Sequence, residues 1–211
     1  HKLSEFILKR KHLHVATVHH KSEYGPFVRQ VFELVNAAYA PLYGVVELSD
    51  EQIERYANKF IPLVDPDFVC FVVDEQDQLV AFGVTALDPS VALKHSDGRL
   101  FPFGWAGVLN DLHHSDTLIM LLTAVRPDLQ TEGINAVMMD HVCQSCNRHG
   151  VHFAETGPML ELNDHILAQW KRLEKEQHKR RRCFIKDLDH DVNAANAAAA
   201  QTETPETESA E

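Results

Sequence analysis

The sequence predicts an α/β domain: a mixed, mostly antiparallel sheet with one parallel strand pair, flanked by helices. Two observations carry this. Residues Leu118 to Gly150 read as a strand, a glycine-bearing turn and a helix, and a further strand follows at Val151 to Thr156. That order makes the two strands parallel, joined by a right-handed crossover. Residues Phe68 to Val73 and Leu79 to Leu87 are a second pair of strand-like runs. The polar stretch Asp74-Glu75-Gln76-Asp77-Gln78 between them reads as a hairpin turn, which pairs them antiparallel.

Residues 1–25 form an N-terminal segment in which only residues 12–18 (HLHVATV) alternate enough to suggest a first strand. Pro26 then marks a helix start, and Phe27, Val31, Leu34, Val35 and Ala38 give that helix one apolar face. A second helix opens at Ser49, where Gln52 three residues later completes a capping box, and runs to Phe60 before Pro62. After the hairpin, residues 88–116 are less regular. Phe103 and Trp105 are expected there as core packing rather than as a lid over a pocket, because large aromatic side chains are usually buried.

The stretch from Leu118 organises the rest. Its apolar run ends at Val125, and Arg126-Pro127 punctuates it. A polar loop, Asp128 to Glu132, closes on Gly133. From Ile134 the apolar spacing becomes helical, through Val137, Met138, His141, Val142 and Ser145, and Gly150 ends the helix. A strand, a turn and a helix N-terminus bring unpaired N–H groups and the positive end of the helix dipole together, so the loop is a candidate anion site. It is neither a G-x-x-x-x-G-K-[ST] loop nor a G-x-G-x-x-G loop. Downstream, a helix is expected over about Asp164 to Glu176 with Ile166, Leu167, Trp170 and Leu173 on one face. Lys179 to Lys186 reads as a last strand with a charged edge, and residues from Asn193 onward as a disordered Ala-rich, acidic tail.

Composition excludes several classes. The formal charge of −11 is concentrated at the end, where seven acids follow Lys186. Residues 1–186 hold 20 basic and 24 acidic residues, a near balance that disfavours a nucleic-acid platform. Four cysteines in a chain of this length do not make a disulfide framework. No apolar run reaches membrane-spanning length and no secretory pattern is visible, so the cytoplasm is the expected compartment and no membrane partner is expected. Cys143 and Cys146, with His141, His149 and His152 nearby, lack a second ligand pair at regular spacing, and core packing is the expected role of both cysteines.

The loop resembles the acyl-CoA loop of the GNAT N-acetyltransferases, [RQ]-x-x-G-x-[GA] after a strand ending in V-x-P. Here Val125-Arg126-Pro127 is followed by Gln130-Thr131-Glu132-Gly133-Ile134-Asn135, with Asn135 at the position of the last Gly or Ala. Of a second family signature, N-x-x-A-x-x-x-Y, the stretch Asn163 to Trp170 has the Asn and an aromatic at the right separation, with Trp170 at the position of the Tyr that often serves as general acid. The two early helices and the strand LVAFGVTAL fit the same family, over roughly residues 26–187. Phrases such as AFGVTAL, GRLFPFGW, AETGP and KRRRCF are similar to larger bacterial GNAT-like proteins, in which such a domain follows an upstream one. The resemblance thus implies that residues 1–25 continue from an upstream domain, that 26–187 form the GNAT-like domain, and that 188–211 are the tail.

The resemblance implies acetyl-CoA as cofactor and transfer of its acetyl group, by direct attack on the thioester, to an amine of a small molecule or protein. It places Val125 and Arg126 along the pantetheine, Gln130, Thr131, Glu132, Gly133, Ile134 and Asn135 at the pyrophosphate with Glu132 turned to solvent, and Asn163 near the cofactor. Glu155, on the strand after the loop, is the candidate base; its ordinary alternative is a solvated or salt-bridged strand-end carboxylate. Asn135 and Trp170 keep a second reading open, a GNAT-shaped domain with a binding or assembly role and no catalysis.

Overall fold

The computed structural model describes residues 1–184, and the expected tail lies outside them. The chain divides into two units, His1–Gly157 and Pro158–Glu211. The first unit begins with a helix the sequence reading did not contain, α1 (Lys2–Lys11), followed by β1 (His14–Val15). The expected strand over residues 12–18 is reduced to these two residues because His12 turns left-handed (φ 54°) to cap α1. Next come α2 (Gly25–Tyr39) and α3 (Asp50–Phe60), the latter opened by the expected box: Ser49 Oγ accepts from Gln52 N–H and Gln52 Oε1 accepts from Ser49 N–H.

Strands β2 (Val69–Val73) and β3 (Leu79–Leu87) form the antiparallel hairpin. Asp74 builds its turn, with Oδ1 accepting from the N–H groups of Gln76 and Gln78 at 3.0 Å. Then follow α4 (Ser90–His95), α5 (Gly104–His114), β4 (Thr117–Val125), α6 (Ile134–His149) and β5 (Phe153–Thr156). The sheet order is β1-β2-β3-β4-β5, antiparallel throughout except for the parallel pair β4–β5.

Both faces of this sheet are covered, which is why β2 is buried at every position instead of alternating. On one face Phe71, Val73, Phe82 and Ala124 pack with Val31, Leu34 and Val35 of α2, and Phe27 stacks on Phe71 at 4.5 Å between ring centres. On the other, Cys70, Val72, Val80, Ala81 and Val125 pack with Ile134, Val137 and Met138 of α6 and with Ile7 of α1. The far end of α6 is pinned to the turn before β2: Ser145, fully buried, donates to the Asp67 carbonyl, and His149 Nε2 lies 2.8 Å from Asp67 Oδ2.

Two further expectations about the first unit need correction. Phe103 and Trp105 are not core residues: they are 79% and 48% exposed on the α4–α5 hairpin, beside Phe101 at 83%. This hairpin follows β3 and precedes β4 in the chain, and its two short helices pack chiefly on each other, so among the described residues no third layer buries the aromatics. Cys143 is exposed and only Cys146 is half-buried, because Cys143 falls off the stripe defined by Val142, Ser145 and Cys146. Among the described residues no group of three or more metal-ligating side chains occurs, and no helix is long and apolar enough to cross a membrane.

In the second unit the helix expected over 164–176 is α7 (Asp164–Gln169) with a single 3-10 turn, Trp170–Arg172; Leu173 is exposed, so nothing holds the helix further. Residues 179–184 form no strand, and 185–186 lie outside the described residues. Four successive cations repel along an extended chain, and Arg180 instead pairs with Glu161 at 2.7 Å.

Candidate functional site

The candidate site is built where β4 leaves the sheet. Strand β5 pairs only with Thr117–Met120, and Gly157-Pro158 ends it, since proline has no N–H to donate. On the β3 side the register jumps from Thr85↔Met120 to Val84↔Leu122, so Leu121 is an extra, bulged residue. A bulge bends its strand and increases the twist. From Leu121 to Val125 the edge of β4 away from β3 therefore has no partner strand among the described residues.

Which groups face that edge follows from one bond. Arg126 N–H donates to the Val80 carbonyl at 2.8 Å, so by antiparallel alternation residues 122 and 124 turn their main-chain groups to β3. Thr123 and Val125 turn theirs outward. Two side chains already use the outward carbonyls: the Tyr39 hydroxyl of α2 donates to the Thr123 carbonyl at 2.8 Å, and Gln130 Nε2 donates to the Val125 carbonyl at 3.3 Å. The N–H groups of Thr123 and Val125 face the same side. Burial raises the Tyr39 phenol above its ordinary range, only partly offset by this bond, so it stays a neutral donor.

The loop follows as a 3-10 turn, Pro127–Leu129, and closes at Gly133, whose φ of 82° suits glycine. Leu129 N–H and Glu132 N–H are consumed inside the turn, by the carbonyls of Arg126 at 2.8 Å and Leu129 at 3.1 Å. Glu132 therefore offers no main-chain donor to a ligand. Ile134 is fully buried as the anchor of α6, while Gln130, Thr131, Gly133 and Asn135 are exposed around it.

Charge at the loop is internally paired. Arg126 clasps Asp128 with two bonds, Nε–Oδ1 at 2.7 Å and Nη2–Oδ2 at 3.1 Å, which raise the guanidinium and hold the carboxyl below the usual range. Glu132, expected to turn to solvent, instead meets Lys11 of α1 at 2.6 Å; that hydrogen bond and the attraction of Lys11, then of Arg10, hold its carboxyl low. Sequence reasoning missed Tyr39, Thr123 and all of α1. A helical face in KLSEFILKRK was the available signal for α1, and none marked Tyr39.

Glu155 lies on β5 in register with Ile119, on the face opposite Leu118, which packs against α6. It shares the sheet with the loop but stands near the other end of β4. Val125 lies six residue steps along the strand from Ile119, about 20 Å. Asn163 belongs to the second unit, where its side chain caps α7 by accepting from Ile166 N–H at 3.3 Å. Trp170 has its indole N–H buried without a hydrogen-bond partner.

No protein-family model matches this chain. It is 25% identical over 162 residues to Protein YghO of Escherichia coli (strain K12), covering 74% of this chain and 41% of that protein. The chain thus spans less than half the length of that curated relative. Among solved structures, an aminoglycoside acetyltransferase from an uncultured soil metagenomic sample superposes with a TM-score of 0.52, at 13% identity over 83% of this chain and 97% of that one. The ribosomal-protein-S18-alanine N-acetyltransferase from Escherichia coli gives 0.51, at 13% identity over 84% and 86%. At such identity the likeness is one of fold, and it agrees with the mixed sheet whose one parallel pair is β4–β5. This chain has the fold of the GNAT N-acetyltransferases.

Proposed function

We propose that this domain is an N-acetyltransferase that takes acetyl-CoA as donor and a primary amine as acceptor. The observation that carries the reading is the open edge of β4 running into the Gly133 turn and the N-terminus of α6. The chain fits the cofactor there. The outward N–H groups of Thr123 and Val125 are donors for the amides of a pantetheine arm. The exposed turn at Gln130, Thr131 and Gly133, with Asn135 in the first turn of α6, offers N–H groups and a helix dipole to a pyrophosphate, while Ile134 is buried and anchors the helix. The cofactor would supply an acetyl group already activated as a thioester.

Glu155 serves as the base in this reading: a carboxylate oxygen takes the proton of the acceptor ammonium, directly or through water, and leaves the amine lone pair free. The span of β4 from Val125 to Ile119 is of the order of an extended pantetheine arm, which suits a base at Glu155.

A second reading, binding without catalysis, is favoured by Trp170. An indole N–H donates a hydrogen bond but cannot deliver a proton to a leaving thiolate. Calorimetric titration with acetyl-CoA, followed by an amine-acetylation screen, decides between them. Binding with turnover that Glu155→Gln lowers at least tenfold supports the enzyme; binding without turnover supports the second reading. No binding, with Asn135→Gly plus Glu132→Lys equally silent, would sink both.

A further inference from the structure

Helix α1 is not idle packing. Its Ile7 is buried among Ile134, Val137 and Val125, and a Cβ on Gly133 would stand 3.3 Å from Ile7 Cδ1, so α1 backs directly onto the turn. Its last turn carries Lys9, Arg10 and Lys11, which complement the helix dipole. The left-handed His12 and the bond from Leu13 N–H to the Leu8 carbonyl at 2.9 Å then fix where that turn ends. Lys11 Nζ is thereby presented to Glu132 at 2.6 Å, and the pair is only partly exposed. Glu132 is the one acid between Gln130 and Asn135, the stretch proposed above to face a pyrophosphate.

We infer that Lys11 is a positioning residue for cofactor binding: it cancels the charge of Glu132 and holds that carboxylate away from the polyanion, so that α1 sets the affinity of the loop for phosphate. This rests on the acetyl-CoA reading. The net charge of the pair then orders the variants. Wild type and the double variant Lys11→Met with Glu132→Gln carry zero, Lys11→Met alone carries one negative charge, and Glu132→Gln alone carries one positive charge.

The test is calorimetric titration of the full chain with CoA, and with pantetheine as the phosphate-free probe. At low ionic strength CoA should bind about fivefold more weakly to Lys11→Met and about fivefold more tightly to Glu132→Gln, with the double variant near wild type and Lys11→Arg unchanged. These differences should shrink in high salt, and pantetheine should not distinguish any of these five proteins. If wild type binds CoA but Lys11→Met matches it, or the double variant stays as weak as Lys11→Met, the inference is overturned and the cofactor reading stands. Equal loss of pantetheine binding in Lys11→Met would reduce Lys11 to a purely structural role and likewise overturn it. If wild type binds no CoA, both readings fall.

Discussion

The hydroxyl of Tyr39, on α2, donates a 2.8 Å hydrogen bond to the carbonyl of Thr123, on the part of β4 that β5 does not reach. Helix and open strand edge are thereby tied at one point, close to where the Gly133 turn begins. Tyr39→Phe removes the donor and leaves the carbonyl half-buried. The expected cost is about 1 kcal/mol, a fall in melting temperature of roughly 2–4 °C for a unit of this size. Thermal unfolding followed by circular dichroism checks it, and an unchanged midpoint would show that water replaces the phenol freely.

Gly133 combines a left-handed φ of 82° with the close approach of Ile7. Gly133→Ala should cost about 1–2 kcal/mol for the backbone alone, and the Ile7 contact adds to it. Gly133→Val should abolish cofactor binding outright. In a double-mutant cycle read by chemical denaturation, Gly133→Ala should cost less in the Ile7→Ala background than in wild type; equal costs would mean that the contact is unimportant.

His141 makes stability depend on pH. Its ring sits among buried residues of α6, Nε2 has no partner, and desolvation, with repulsion from Arg148, lowers its pKa below the ordinary 6.5. Between the lowered folded value and 6.5 the unfolded chain binds more protons, so stability falls as pH drops through that window. His141→Gln should flatten this part of the profile, as read from denaturation midpoints between neutral and mildly acidic pH. An unaltered slope would assign the dependence to other groups.

The α4–α5 hairpin offers a contrast in energetics. Phe101→Ser and Phe103→Ser should each change stability by less than about 0.5 kcal/mol, as exposed positions do. Phe82→Ala, at a fully buried position under α2, should cost about 3–5 kcal/mol. Urea unfolding of the three variants measures both, and a large loss at Phe103 would reveal packing that its exposure does not suggest.

How much of this was legible in the sequence depends on the range of the forces involved. The Asp74 turn, the Ser49–Gln52 box and the Ile134–Ser145 stripe are local, and each shows itself as a spacing of two, three or four residues. The parallel β4–β5 pair was legible because a strand–helix–strand order admits one handedness. The Leu121 bulge leaves no mark in an apolar run, because LIMLLTAV reads as a strand with or without an extra residue. Tyr39–Thr123 and Lys11–Glu132 join residues 84 and 121 positions apart, and no local pattern announces such pairs. The aromatics at Phe101, Phe103 and Trp105 misled for the opposite reason: hydrophobicity says that a side chain gains from burial, not that a neighbour exists to bury it.

The capped edge of β4 also bears on self-association. An uncovered strand edge is a template for another chain, since it presents donors and acceptors in the alternation that a β-strand needs. Here Tyr39 and Gln130 occupy the outward carbonyls of Thr123 and Val125, while the neighbouring N–H groups have no strand partner among the described residues. A foreign strand would find donors without acceptors and could not zip along the edge, whereas a ligand that needs donors alone is not refused. The two side chains thus act as gatekeepers that separate ligand access from aggregation.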